Sequence, residues 1–264
     1  MTEPEYLMSN ARPEAADRLD GLAEAFDGST AGHLRRLGVT AGCSCLEVGA
    51  GGGSIARWLA AQVGPGGRVL ATDLDPSRFR HDGSPQLEVR QHDLVEEPVP
   101  EGPWDVIHER LVLQHLSERE GILARLVASL APGGWILVED FDLGVARTAD
   151  RWAPGHDLVQ TVAATFREIL VARGAVNEFS DSARRLLREH GLTDIGSSGH
   201  VSIDPGGQGW ARAMSANARQ AREQLQDRGV SSVDLDRYLE LVEEPDRFIA
   251  SPVLISTWGR RPGP

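Results

Sequence analysis

The run CLEVGAGGGSIARWLAAQV, residues 45–63, leaves the chain few folds to choose from. Apolar residues suited to a buried strand stop at Val48, and four glycines follow at 49, 51, 52 and 53. An apolar pattern of helical period then begins at Ile55. A strand, a glycine turn and a helix in that order open a parallel βαβ unit. The same alternation continues downstream. GRVLATDL, QLEVRQHD and WDVIHERL predict strands, EREGILARLVASL a helix, and GWILVEDF a further strand. A parallel sheet with helices on both faces follows. Pro132, Gly133 and Gly134 predict a turn that ends the helix and aims the next strand.

Outside this core the pattern is helical. Leu19, Leu22, Ala23 and Phe26 predict one helix over 14–26, and a second short helix is expected over 30–37, stopped by Gly38. Beyond Phe141, Leu158, Val159, Val162, Phe166, Ile169 and Leu170 form a stripe ending near Gly174. Ala183, Leu186 and Leu187 form another before Gly191. A strand is expected around 195–203, helices around 209–226 and 232–242, and a last strand in RFIASPVLISTWGRR. Residues 1–40 therefore read as an N-terminal helical arm or lid. Residues 41–264 read as the main domain, with helical insertions near 150–178 and 205–245.

Composition narrows the chemistry. All 27 basic residues are arginine, and the absence of lysine excludes Schiff-base catalysis, P-loop phosphate binding and a Tyr-Lys reductase couple. A net charge of −12 disfavours a nucleic-acid partner, because such binding draws on phosphate neutralisation. No apolar run approaches the roughly 20 residues that span a bilayer, and the acidic opening MTEPEYLMSN lacks signal-peptide character. A cytoplasmic protein without a membrane partner is expected. Cys43 and Cys45 share a strand face and read as reduced, structural thiols. His33, His81, His190 and His200 show no metal-ligand spacing, so no metal is expected.

Glycines at the carboxyl end of a first parallel strand permit positive φ and let a ligand approach the main chain, where exposed helix N–H groups favour negative charge. Gly51, Gly53 and Ala56 also satisfy G-x-G-x-x-A, which keeps a nicotinamide enzyme in view. The next two strands add acceptors. VLATDLD ends its apolar run at Asp73, suited to two ribose hydroxyls, and LEVRQHDL ends at Asp93, suited to an adenine amino group. Leu74 and Leu94 could sandwich the purine.

This ordered set resembles the class I S-adenosylmethionine-dependent methyltransferases over residues 38–142. The family's acid-x-G-x-G-x-G matches Glu47, Gly49, Gly51 and Gly53. Its ribose acid matches Asp73, its adenine acid Asp93, its fourth-strand motif WDVIHERLVLQHL, and its L-x-P-G-G segment LAPGG. The resemblance implies an α/β fold with a Rossmann-like, doubly wound seven-stranded sheet of order 3-2-1-4-5-7-6. PVLISTWGRR is similar to the antiparallel last strand. It also implies S-adenosyl-L-methionine as cofactor, S-adenosyl-L-homocysteine as product, and a small-molecule acceptor methylated in line on N, O or C.

Further site residues come from the same resemblance. His108, Glu109 and Arg110 are expected to face the cofactor and substrate from the end of the fourth strand, holding the methionine part. Strand alternation puts His108 and Arg110 on one face and Glu109 on the other. His115 is expected to border the acceptor pocket and to accept a proton, with His108 as the second catalytic candidate. Ser117 and Glu120 predict a capping box for the following helix. Tyr6 is expected to close over the cofactor, and Asp140 and Asp142 to stand at the rim. A non-methylating binder of the same cofactor, cyclase-like or sensory, and a nicotinamide oxidoreductase stay open as alternatives.

Overall fold

Seven strands hydrogen-bond in the order β3-β2-β1-β4-β5-β9-β6 in the computed structural model, which describes residues 7–143, 151–176 and 179–263. The strands are β1 (Ser44–Val48), β2 (Arg68–Asp73), β3 (Leu87–Gln91), β4 (Trp104–Arg110), β5 (Leu130–Asp142), β6 (Thr193–His200) and β9 (Val253–Arg260). Pairs β1/β2, β1/β4, β2/β3 and β4/β5 are parallel, whereas β9 runs antiparallel to both β5 and β6. This is the expected order, with PVLISTWGRR supplying the antiparallel strand.

The chain divides into two units of internal contact. One comprises Asp27–Gly144, Val176–His200 and Val253–Pro264 and holds the seven-stranded sheet. Strand alternation sends Leu46, Val48, Ile107, Ile136 and Val138 to one face, where α3 (Arg119–Ala128) and α5 (Phe179–Glu189) cover them. Cys45, Val69, Ala71, Val106 and Leu137 line the other face, under α2 (Ser54–Val63) and the last turns of α1 (Ala15–Arg36). Parallel strands covered on both faces explain the near-continuous apolar runs of the sequence.

The other unit comprises Met1–Phe26, Val145–Ala175 and Val201–Pro252. It packs α4 (His156–Ala172), α6 (Gly209–Gln220), α7 (Arg222–Asp227) and α8 (Ser232–Glu243) around Val162, Leu225, Leu235, Tyr238 and Val242. A hairpin of β7 (Ile203–Pro205) and β8 (Phe248–Ala250) completes it. Arg18, almost fully buried, donates to Met8 O, Asn10 Oδ1 and Gln220 Oε1, which fixes the start of the described chain.

Four local expectations are corrected. The two helices expected over 14–37 are one, α1, because Gly28 is conformationally tolerated in a helix interior. Gly38, at φ 90°, ends it by donating to Arg35 O while Val39 donates to Leu34 O. The Pro132-Gly133-Gly134 turn is instead an irregular stretch inside β5. There Leu130 pairs with Trp104 and Trp135 with Val106, while Gly133 N donates to Arg261 O. The strands expected near 195–203 and in RFIASPVLISTWGRR each split between the main sheet and the small hairpin, the latter at Ser251-Pro252. Finally, α3 starts after Glu118 without a side-chain cap, so the Ser117–Glu120 box is out of register and does not form.

Gly28 is exposed, and nothing lies within 4 Å of the position a Cβ would take. Gly28→Ala should therefore raise stability by about 0.5–1 kcal/mol in urea unfolding, through the lower conformational entropy of the unfolded chain.

Candidate functional site at the strand tips

The glycine turn after β1 holds Gly49, Gly51 and Gly53 at φ 68°, 52° and 79°, conformations that other residues rarely adopt. It is tied to the neighbouring strand. Asp73, last residue of β2, accepts from Gly51 N at 2.8 Å through Oδ2 and from Asp75 N at 2.9 Å through Oδ1. His92 N then donates to Asp73 O at 2.9 Å, linking the tip of β3. The tips carrying Gly49, Asp73 and Asp93 therefore lie on three adjacent strands, β1, β2 and β3.

Bare backbone in this turn also answers packing within the chain. A Cβ on Gly49 would collide with Val112 Cγ2, and one on Gly53 would come within 2.5 Å of the Phe79 ring. Asp93 Oδ1 accepts from Val95 N at 2.9 Å and Glu96 N at 3.3 Å, capping its own turn. That turn folds Leu94 into the core, whereas Leu74 is 55% exposed. The expected Leu74–Leu94 sandwich is thus not preformed.

Beneath the turn, on the sheet face covered by α1, lies a buried ionic chain. His108 has no exposure; its Nδ1 lies 2.7 Å from Glu47 Oε2 and its Nε2 3.2 Å from Glu139 Oε2. Ser256 Oγ donates to Glu139 Oε1 at 2.6 Å, and Thr30 Oγ1 donates to Glu139 Oε2 at 2.5 Å. Arg110 donates to Thr30 Oγ1 at 3.0 Å and to Asp27 Oδ1 at 2.9 Å. Burial alone would push the His108 pKa down, but the two carboxylates outweigh it and lift the value to about 10. Burial would raise Glu139, yet His108, Arg110 and Ser256 lower it to about 2.

With no exposure and both ring nitrogens against carboxylates that raise its pKa, His108 is engaged within the sheet, away from its expected role as a catalytic proton acceptor. Glu47 and Arg110, expected at the cofactor, spend their polar atoms largely within this chain. Glu139, Ser256, Thr30 and Asp27 were not among the sequence candidates. The available signal was Glu139 itself, a carboxylate inside the apolar run WILVEDF.

The opposite sheet face carries Glu109 and Asp140, both fully buried. Glu109 Oε2 accepts from Val112 N at 3.1 Å and Leu113 N at 3.2 Å. Leu111, between strand and turn, sits at φ 60°, a strain of about 1–2 kcal/mol for a residue with a Cβ. Burial raises the pKa of Glu109 and Asp140, against the pull of backbone N–H groups, and the two carboxyls raise Asp140 further by repulsion. His115, half-buried, closes this turn with its ring 3.2 Å from Gln114 Nε2. Strand alternation separated His108 and Arg110 from Glu109 as expected; Glu109 supports the turn rather than facing the α1 side. Tyr6 lies outside the described residues.

The shifts give a signed pH dependence. His108, raised from 6.5 to about 10, contributes stability that is complete below pH 6.5 and is lost as pH rises through 10. Glu139, lowered from 4.5 to about 2, contributes stability present above pH 4.5 and lost as pH falls through 2. Thermal midpoints should thus fall from pH 6.5 towards 10. His108→Leu, which leaves Glu47 and Glu139 buried without their counter-charge, should cost about 3–5 kcal/mol at pH 6 and flatten that alkaline decline.

Comparison with known proteins identifies the family and the fold. Residues 8–196 match the family described as "Methyltransferase domain". Methyltransferase str2 of Strobilurus tenacellus is 39% identical over 111 residues, which cover 42% of this chain and 40% of that protein. The ubiquinone/menaquinone biosynthesis C-methyltransferase UbiE of Bordetella avium is 30% identical over 143 residues, 52% of this chain and 53% of that one. The matches thus span about half or less of these relatives. A crystal structure of a SAM-dependent methyltransferase from Aquifex aeolicus superposes with a TM-score of 0.52 at 16% identity, covering 95% of this chain and 98% of that one. With the family's match extending over most of its length, the chain belongs to the methyltransferase-domain family.

Proposed function

We propose that the chain transfers a methyl group from S-adenosyl-L-methionine to a small-molecule acceptor, leaving S-adenosyl-L-homocysteine. The observation that carries this reading is the junction of the Gly51 amide with the Asp73 carboxylate at two adjacent strand tips. The residues there suit the cofactor. Asp73 offers a carboxylate to the ribose hydroxyls, the exposed Leu74 offers an apolar face to the purine, and Gly49, Gly51 and Gly53 bring the main chain close. Asp93 and Leu94 stand at the adjoining tip, on the adenine side in this reading. The bound sulfonium supplies the intrinsic chemistry, an activated methyl group.

The chain's own residues then bind and orient. Glu47, clamped by His108, fixes the strand from which the glycine turn springs. Arg110 and Glu109 hold the end of β4 on its two faces. His115, at the end of the turn after β4, is the residue we assign to accept a proton from an acceptor that must lose one. Alignment of bound reactants is worth up to about 7–11 kcal/mol, against the 10²–10⁴-fold that a general base adds, so positioning dominates. No described helix is long and apolar enough to cross a membrane. The free Cys43 and Cys45 suit a reducing, cytoplasmic setting.

Two measurements test the reading. Calorimetric titration with S-adenosyl-L-homocysteine should give binding to the wild type and about tenfold weaker binding to Asp73→Ala, the loss of hydrogen bonds to a charged acceptor; equal affinity removes Asp73 from the site. Incubation with S-adenosyl-L-methionine and a metabolite extract should release S-adenosyl-L-homocysteine, at a rate lowered about 10²-fold by His115→Ala. Tight cofactor binding with no release under any extract would favour the non-methylating reading.

A further inference from the structure

We propose that Glu109 and Asp140 hold a proton between them, and that this acid–carboxylate pair positions the 111–115 turn against Gly49, making Glu109 a positioning residue for the methyl-donor site. The inference rests on reading the glycine turn as that site.

Three facts converge on it. First, the hydrogen-bonding inventory does not close with both groups ionised. Glu109 Oε1 and both Asp140 oxygens are buried without a well-formed hydrogen bond, the Gln114 amide being the backbone group that pulls on Asp140, and the two side chains are hydrogen-bond neighbours. Two ionised carboxylates only accept, so neither can satisfy the other; one proton between them turns two orphaned acceptors into a donor–acceptor pair. Second, the surroundings supply the missing charge only in part, through the attraction of His108 for Glu109 and of Arg119 for Asp140. Imidazolium His108 is on the same strand but points to the opposite face, where Glu47 and Glu139 consume its donors. Glu139 adds repulsion to Asp140. Arg119 of α3 attracts Asp140 electrostatically, and its Nε donates to Leu113 O. The α5 side of the same core brings Phe179 and Ala183, with one buried hydroxyl, Ser180, beside them.

Third, the turn needs holding. Leu111 lies in the left-handed region, and the residues after it are gathered by Glu109 Oε2 through Val112 N and Leu113 N. Val112 in turn occupies the space beside Gly49 that a Cβ would fill. Glu109 thus reaches the glycine turn through one residue, Val112. A second buried negative charge would repel Glu109 from Asp140 and loosen its hold on the two amides; the shared proton prevents this.

Infrared spectroscopy of the wild type at neutral pH should show the carbonyl stretch of a protonated carboxylic acid, lost in Asp140→Asn and in Glu109→Gln; a wild-type spectrum without that band overturns the shared proton. Amide hydrogen exchange should show Val112 and Leu113 protected in the wild type and in Glu109→Gln, and exposed in Glu109→Ala. In titrations with S-adenosyl-L-homocysteine, Glu109→Ala should bind about tenfold more weakly and Glu109→Gln within about threefold of wild type. Adding Leu111→Gly to Glu109→Ala should restore most of the loss, because glycine holds the turn without strain. Unchanged affinity in Glu109→Ala, equal losses in the Gln and Ala variants, or no rescue by Leu111→Gly would overturn the positioning role. A wild type that binds no S-adenosyl-L-homocysteine would refute the donor-site reading instead, leaving the infrared and exchange results to decide the pair.

Discussion

A histidine with no solvent exposure, gripped by two carboxylates, fixes the centre of the sheet. Glu47, His108 and Glu139 stand on β1, β4 and β5, and Thr30 ties the same cluster to α1. Replacing all its members with well-packed apolar residues could leave stability unchanged or improved, because burying ions costs about as much as their attraction returns. What an apolar cluster would not supply is register. A one-residue slip of β4 would send His108 to the opposite face and strand two carboxylates in the interior. The strand tips that follow, Gly49 and Arg110, inherit their placement from that restriction.

The two faces of β4 and β5 show how environment rather than residue type decides charge. Glu139 and Asp140 are neighbours in sequence, both wholly buried. Glu139 faces His108 and Arg110 and is held ionised well below the ordinary carboxylate range. Asp140 faces Glu109 and is pushed far above it. Alternation alone places the cation on one side and withholds it from the other. One strand pair thus carries an ionised network toward α1 and a proton-retaining pair toward α3, at opposite sides of the same turn.

The sequence made the framework legible because its signals are local. The α2 helix occupies the predicted SIARWLAAQV segment, and the sheet order is the one that the family resemblance implied. Pairing across the sheet was not legible. Nothing near Glu139 in the chain says that it meets His108, 31 residues away, or Thr30, 109 away. The helices expected over 14–26 and 30–37 merge because the full length of α1 outweighs the cost of one interior glycine, Gly28. Likewise Leu94 looked available to a ligand until Asp93 was seen capping its own turn.

The glycine turn shows why a motif read as ligand space can also be structure. Val112 and Phe79 occupy the volume that side chains at Gly49 and Gly53 would take, so these glycines are required before any cofactor arrives. Asp73 is in the same position, since Gly51 N and Asp75 N already engage both of its oxygens. A carboxylate oxygen has more than one lone pair, so ribose hydroxyls can add to these bonds rather than displace them. The acceptor therefore arrives pre-oriented by the turn it serves, and little side-chain entropy is left to lose when a ligand binds. Affinity at this tip then depends as much on what holds the turn as on the carboxylate itself.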